Sequence, residues 1–485
     1  MALDIGTSSV RAGLYTHEAE LVPGTQVKNS RTLTATPGGG FEIDANTAFE
    51  QVIGAIDDLY QKCGIDAARA RFGAVSSFWH SIVGVDDYGE PTTKLFAWAE
   101  TRPAAFVAQL KRDLNERDVQ NRTGCPIHSS YWPAKILWIW ESFPAGFAAT
   151  QKWLSFSDFM GQRVFGCPDT SVSMASGSGI FDLRLQQWDR EIVEYLGIDI
   201  DSLPNISEDQ SPSLEFTEEY KKRWPEIAGT KWLPAVGDGA ANNIGAGCFT
   251  REKAALMIGT SGAMRVAYEG DPPETIPKGL WCYRVDSKRV VIGGAISDGG
   301  GLYRWLKDNL RVADDDDKLR DLVAQRGPAA HGLTFLPFLA GERSTGYNDF
   351  ATGAILGLRS ATDNIDIIRA AFESVAYRFA EIYERLCEVL EIEEIVASGG
   401  ALRQSTAWTQ IICDVLGRDM VLPGTREASS RGIVLLAAMK TGFGSGLSND
   451  DASEATHFSH NPSNREAYQI GRKRHEHFYQ GLVRR

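Results

Sequence analysis

Two seven-residue stretches carry the first chemical signal. Ala2-Leu3-Asp4-Ile5-Gly6-Thr7-Ser8 and Ala255-Leu256-Met257-Ile258-Gly259-Thr260-Ser261 differ at one position. Each runs from an apolar segment into Gly-Thr-Ser, a turn that presents hydroxyls and backbone N–H groups with little side-chain bulk. Glycine lets the backbone approach closely and successive N–H groups form an anion nest, so such a turn can cradle phosphate oxygens. A single Gly-Thr-Ser is usually an ordinary turn. Two matched copies suit a polyphosphate gripped from both sides. The one difference then has a reason: Mg²⁺ held mostly by phosphate and water oxygens needs few carboxylates. Asp4 supplies one, and the matching Met257 is free to be apolar. A turn or cap role for Asp4 is the alternative.

Three further groups have chemistry-bearing types at suggestive spacing. In Val236-Gly237-Asp238-Gly239, a carboxylate flanked by glycines follows an apolar segment and reads as an accessible, flexible turn. Phosphoryl transfer needs positioning, charge neutralisation and one well-placed base, which Asp238 would supply; a plain turn is the alternative. Ser398-Gly399-Gly400-Ala401 puts two glycines between a strand and a helix, where open α/β sheets bind ligands. Trp79-His80 and Glu100-Thr101-Arg102 together offer an aromatic wall, hydrogen-bonding groups and an acid, the needs of a polyol site. Taken separately they read as a core pair and an ion pair. His128, Tyr131 and Lys135 are candidates for the same cleft.

The elements that must position these groups follow from periodicity. Residues 2–15 and 255–268 agree at seven of fourteen positions. Each copy reads as strand, tight polar turn, strand, and the duplication points to two related domains, with a boundary near 240–255. Helical spacing marks Thr47–Cys63, Ala134–Trp140, Asp366–Leu390, Ser405–Leu416 and Ser430–Lys440. Strand patterns mark Phe72–Val75, Ile82–Val85 and Glu394–Ala397. The acidic run Asp314–Asp317 reads as a surface turn, and Arg472–His477 as a solvated helix face rather than a metal site.

Bulk properties narrow the function. A chain of 485 residues with net charge −13 exceeds one ordinary core and repels phosphate backbones. Nucleic-acid and membrane partners are therefore not expected. No apolar run reaches bilayer-spanning length and no leader is visible. The seven scattered cysteines read as reduced thiols of a cytoplasmic protein. P-loop, dinucleotide-binding and zinc-protease motifs are absent.

The ordered set Asp4-x-Gly6-Thr7-Ser8, Trp79-His80-Ser81, Trp98-x-Glu100-x-Arg102, Gly237-Asp238-Gly239, Ile258-Gly259-Thr260-Ser261, Gly341-Glu342-Arg343 and Ser398-Gly399-Gly400-Ala401 resembles the FGGY carbohydrate kinases. The resemblance implies an α/β fold: two ribonuclease-H-like domains of the actin-like ATPase fold, here 1–245 and 246–485, with ATP, Mg²⁺ and a small sugar or sugar acid in the cleft between them. It implies Asp238 as catalytic base and Asp4 as the metal-associated acid. Thr7, Ser8, Ser9 and Arg11 form the first phosphate turn, and Thr260 the second. Gly300, Gly400 and Gln404 fall at the nucleotide, and Trp79, His80 and Glu100 at the sugar. Among the branches the gluconate kinases are the most similar, so phosphorylation of D-gluconate to 6-phosphogluconate is expected. A pentulose kinase and an actin-like conformational ATPase are the alternatives. Trp79 replaces a usual methionine, Glu100 a usual aspartate, Ser297-Asp298-Gly299-Gly300 a usual Asn-Asn-Gly-Gly, and Gln404 an asparagine of glycerol kinases. Relatives carry a few more residues before the first strand, so the start is expected upstream. A homodimer is one arrangement left open.

Overall fold

The computed structural model describes residues 1–483 apart from 32, 37, 208–212, 311–315, 425–426 and 444–454. Both repeats are hairpins. β1 (Ala2–Ile5) and β2 (Ser9–Gly13) pair antiparallel with Asp4 opposite Arg11. β3 (Val27–Ser30) adds to β2, and β4 (Phe72–Ser77) lies parallel on the other side of β1. β5 (Val236–Gly237) continues parallel to β4. The second sheet repeats this plan. β6 (Lys253–Ile258) and β7 (Gly262–Glu269) form the hairpin, and β8 (Trp281–Arg284) and β9 (Arg289–Ile296) complete the antiparallel side in the order β8-β9-β7-β6. β10 (Glu394–Ser398) and β11 (Met420–Leu422) follow in parallel beyond β6. This duplicated α/β plan is the one the resemblance implies.

Each sheet is covered by helices with apolar stripes. α1 (Ala45–Cys63) starts where Asp44 accepts the Thr47 N–H and lays Phe49, Val52, Ile53, Ile56 and Leu59 on the first core. α4 (Asn364–Leu386) starts at a capping box between Asp363 and Asp366 and is buried over most of its circumference in the second core. Between α1 and α4 in sequence come α2 (Asp238–Gly245), directly after β5, and α3 (Gly300–Asn309), after β9. α5 (Gly400–Gln404) follows β10, and α6 (Ala428–Thr441) follows β11.

The two halves meet where α2 crosses α6. A Cβ on Gly245 would lie 1.7 Å from the Ala428 carbonyl oxygen, and one on Gly432 would lie 1.8 Å from that of Ala241. Only glycine permits backbones this close. A third core surrounds the crossing and mixes Ala2, Ala74 and Val236 of the first half with Ile433 and Leu436 of the second.

Four expectations shift. α4 ends at Leu386 rather than Leu390, because the N–H groups of Val389 and Leu390 both turn back to the Leu386 carbonyl. Asp238 does not sit in a flexible turn; it is the first residue of α2. Of the acidic run, Asp314 and Asp315 lie outside the described residues, while Asp316 opens a helix, Asp316–Gln325. The Arg472–His477 segment is helical, within Arg465–Leu482, but His475 is buried rather than solvated.

The helix crossing makes a paired test. Gly432→Ala should destabilise the protein by roughly 1–3 kcal/mol, because backbone must move. Gly54→Ala, in α1 with open space around the glycine, should stabilise by about 0.5–1 kcal/mol. Urea melts of the two variants should therefore shift in opposite directions.

Candidate active site

The parallel strands β1, β4 and β5 place Asp4, Ser76 and Val236 in one row, with Asp238 two residues beyond the row at the start of α2. β1 and β5 flank β4, about 10 Å apart at roughly 4.8 Å per strand, and the Asp4 charge still reaches Asp238 at the carboxyl ends of the strands. Asp4 is held on both oxygens. Oδ1 accepts the Ser76 hydroxyl at 2.5 Å, and Oδ2 lies 3.2 Å from Arg11 Nη1. Arg11 also reaches Glu427 of the second half, Nε to Oε2 at 2.9 Å.

Asp238 Oδ1 accepts the Gly239 N–H at 2.8 Å. Burial pushes its carboxyl up to about 6, and the Asp4 charge adds to the rise while the Arg265 and Arg343 guanidiniums oppose it. A carboxyl poised there is ionised at neutral pH yet basic enough to take a proton. It also sits where the positive end of α2 favours its charged form.

The second turn is braced from two directions. Gly300 N–H donates to the Gly259 carbonyl at 2.8 Å, and Gly301 N–H to that of Thr260 at 2.9 Å. A Cβ on Gly300 would lie 2.5 Å from the Gly259 oxygen, so this contact requires glycine. Gly399 has φ +97°, and a Cβ there would lie 2.3 Å from the Ile258 oxygen. Thr260 stays exposed at the tip, as Ser8 does in the first turn, with Thr7 half-buried and Ser9 buried. Gly400 opens α5 with free space around it. Gln404 is exposed at the end of α5, and its carbonyl accepts from Arg320. Exposed hydroxyls at two glycine turns, with backbone kept low beside one of them, form a cradle that fits a nucleotide polyphosphate. One carboxylate, Asp4, beside that cradle fits Mg²⁺, which retains water and phosphate ligands.

The sugar candidates separate. The His80 ring donates from Nδ1 to the Gly177 carbonyl at 2.5 Å, which leaves Nε2 as an acceptor. Burial and the Arg343 charge hold it well below the ordinary imidazole range, so it is neutral. Tyr131, Tyr283 and the Trp79 indole pack around it. Trp79 is itself buried, with Nε1 donating to Ser173 at 2.9 Å; its ring lies where a Cβ on Gly237 would be 1.9 Å away. It therefore backs the approach to Asp238. The Glu100 carboxylate is already engaged on both oxygens: it accepts Arg102 Nε at 2.7 Å and Nη2 at 2.6 Å, and the backbone N–H groups of Phe41 and Arg102. Lys135 is wholly buried between the His80 and Ala97 carbonyls at 2.6 and 2.8 Å. His128 reaches Asp349 of the second half at 3.0 Å.

Sequence reasoning gave no role to Arg265, Arg343, Asp298 or Glu427. Arg265 lies on β7, whose residues are buried at seven of eight positions, where the first copy has Ala12. A charged residue facing the interior of such a strand is the signal that was available. Asp298 accepts the N–H groups of Leu339 and Ala340 at 2.8 and 3.3 Å, and burial pushes its carboxyl up to about 7. It ties the Gly299–Gly301 turn to the loop that carries Arg343.

The duplicated α/β plan, with a Gly-Thr-Ser turn in each half and the buried Asp238 carboxyl between them, is that of a two-domain ATP-dependent phosphotransferase. The chain belongs to the FGGY family of carbohydrate kinases: the N-terminal domain of that family matches residues 1–245 and the C-terminal domain residues 254–441. It is a sugar kinase. It is 29% identical to a gluconokinase of Bacillus subtilis over 463 residues, 91% of this chain and 87% of that protein. Among solved structures it is similar to a gluconate kinase from Lactobacillus acidophilus, with TM-score 0.88 and 26% identity over 99% and 97% of the two chains. A xylulose kinase from the same species gives the same TM-score and identity over 100% and 99%. Among the described residues no helix is long and apolar enough to cross a membrane, and no His/Cys/Asp/Glu cluster has the makings of a metal site.

The raised Asp238 carboxyl has a stability consequence. Its folded value, about 6, lies above the ordinary 3.8. Between those values the native state binds more protons than the unfolded chain, so this group lowers stability as pH rises through that window and holds the penalty above it. Asp238→Asn should abolish turnover and yet melt higher than wild type at pH 8. That gap should narrow towards pH 4 in thermal melts across pH.

Proposed function

We propose that this kinase transfers the γ-phosphoryl group of ATP to a hydroxyl of D-gluconate, giving 6-phosphogluconate. The observation that carries this reading is the likeness to gluconokinases over nine-tenths of the chain. We take 1–245 as the sugar-binding half and 246–485 as the adenosine-binding half.

Asp238 accepts the proton of the attacking hydroxyl, whose oxygen then bonds to the γ-phosphorus as the bond to ADP breaks. Its value near 6 supports that role at neutral pH. Thr7, Ser8, Ser9 and Arg11 hold phosphate oxygens from the first half, and Thr260 from the second. Gly300, Gly400 and Gln404 line the nucleotide. Mg²⁺, when bound, supplies charge neutralisation between phosphate oxygens, and Asp4 is the residue that would hold or orient it. The Asp4 carboxylate is kept in place by Ser76 and Arg11. His80 accepts a substrate hydroxyl at Nε2. Trp79 shapes the wall behind it, and Glu100 acts on the sugar through Arg102 and the Phe41 loop that it fixes. Closure of the halves about the α2–α6 crossing excludes water.

A second reading, a neutral pentulose as acceptor, is favoured by the equal similarity to a solved xylulose kinase.

A coupled ADP-release assay with Mg-ATP and D-gluconate, D-xylulose, L-ribulose and glycerol separates the two. Gluconate should turn over, and Asp238→Ala should reduce kcat by about 10²–10⁴-fold. Turnover on D-xylulose alone would move the assignment to the second reading. Sugar-independent ATP hydrolysis untouched by the substitution would remove Asp238 from the base role. The kcat should rise with pH through about 6 and level off above it, as Asp238 ionises. His80→Gln should raise KM and leave that limb in place, because His80 is already neutral.

A further inference from the structure

The cleft carries more positive charge than its own acids use. Arg265 is only 5% exposed; among the described residues its Nε finds no hydrogen-bond partner, and Nη2 makes a long bond, 3.3 Å, to the Asn242 side chain. Its Nη1 lies against the start of α2, where a Cβ on Gly239 would be 2.3 Å away, so the guanidinium faces Asp238. Arg343 is stacked on the Trp98 ring with Cζ 5.3 Å from the centroid, and its buried Nε also lacks a partner. It is close enough to Asp238, Arg265 and His80 to shift all three. Mutual repulsion adds to burial in lowering Arg265 to about 10.

The neighbouring acids are committed elsewhere. Glu100 is taken by Arg102, and Asp349 by His128 and Ser129. Asp238 must stay free to accept a proton. A buried guanidinium and a half-buried one, each with a buried Nε that finds no partner among the described residues, are costly to maintain unless a ligand completes them. Their planar forks suit an oxyanion taken in bidentate fashion.

We propose that Arg265 and Arg343 together form an anion subsite that holds the carboxylate of a sugar acid and so sets a preference for acids over neutral sugars. The inference rests on the reading of Asp238 as the centre of the sugar cleft. The shared chemistry is an oxyanion, which a carboxylate or the transferring phosphoryl group would supply, and the test separates them.

Binding of D-gluconate and of D-glucitol, the neutral polyol of the same carbon chain, is measured by calorimetry without nucleotide. Wild type should prefer gluconate by roughly tenfold or more. Arg265→Gln and Arg343→Gln should each weaken gluconate by about tenfold and leave glucitol within about twofold. Arg265→Lys, which keeps the charge but not the fork, should fall between wild type and Arg265→Gln, which separates loss of the subsite from misfolding. The proposal is overturned if both Gln variants keep the wild-type preference, if both sugars weaken equally, or if wild type shows no preference or binds neither sugar. It is also overturned if the variants bind gluconate normally but lose a non-hydrolysable ATP analogue, which would assign the pair to the phosphoryl group. If no sugar yields ADP while the arginine-dependent acid preference persists, the kinase assignment of gluconate falls and this subsite stands.

Discussion

The close crossing of α2 and α6 is the constraint on which the site depends. Each half builds its phosphate turn from local hairpin geometry, but a hairpin cannot place itself against its counterpart. The backbone contacts at Gly245 and Gly432 fix that relation. α2 begins with Asp238, and Glu427 immediately precedes α6 and reaches Arg11 of the first turn. The base and the bridge to the first turn are thus attached to the same crossing. Any rotation of one half about it moves both, which links the geometry of the first Gly-Thr-Ser turn to the position of Asp238 without a separate device.

Electrostatics inside the cleft then follow from desolvation and from which charges are already paired. Asp4 is held by a hydroxyl on one oxygen and a guanidinium on the other. Asp238 has one backbone N–H and no ion pair, so burial dominates and its carboxyl rises. The surroundings of the two acids differ, although both stand towards the carboxyl ends of parallel strands that flank β4. His80 is made neutral by burial and by nearby cations, which removes it as a competing base and leaves an acceptor of fixed tautomer.

Much of this was legible in the amino-acid order, and the reason is that it is local. The hairpins follow from alternation and Gly-Thr-Ser, and α1 and α4 from periodicity, while the caps at Asp44 and Asp363 emerge only in the fold. The ends were less legible because caps and turns depend on a few hydrogen bonds, as at Leu386. Asp238 was found by type but misplaced in a flexible turn, since Gly-Asp-Gly gives no sign that a helix dipole and a crossing helix wait beyond it. Glu100 was read as a sugar contact, yet Arg102 two residues on occupies both its oxygens. Arg265 and Arg343 were given no role because their meaning is tertiary: only the folded chain brings strand β7, the 341–343 loop and the start of α2 to one point.

The overall charge makes that tertiary arrangement necessary. The chain carries −13, and its proposed ligands, a nucleotide polyphosphate and a sugar acid, are anions. At physiological ionic strength the Debye length is about 8 Å, so the repulsion from distant surface acids is largely screened before an anion reaches the cleft. What remains is decided at short range, in a water-poor site where an unpaired guanidinium acts with little screening. Placing the buried Arg265 and the half-buried Arg343 beside Asp238 puts attraction where screening is weak. The acidic surface can keep the protein dispersed without opposing capture. Global charge and local charge are thus separated by depth, and it is the Arg265–Arg343 pair rather than the net balance that a sugar acid would meet.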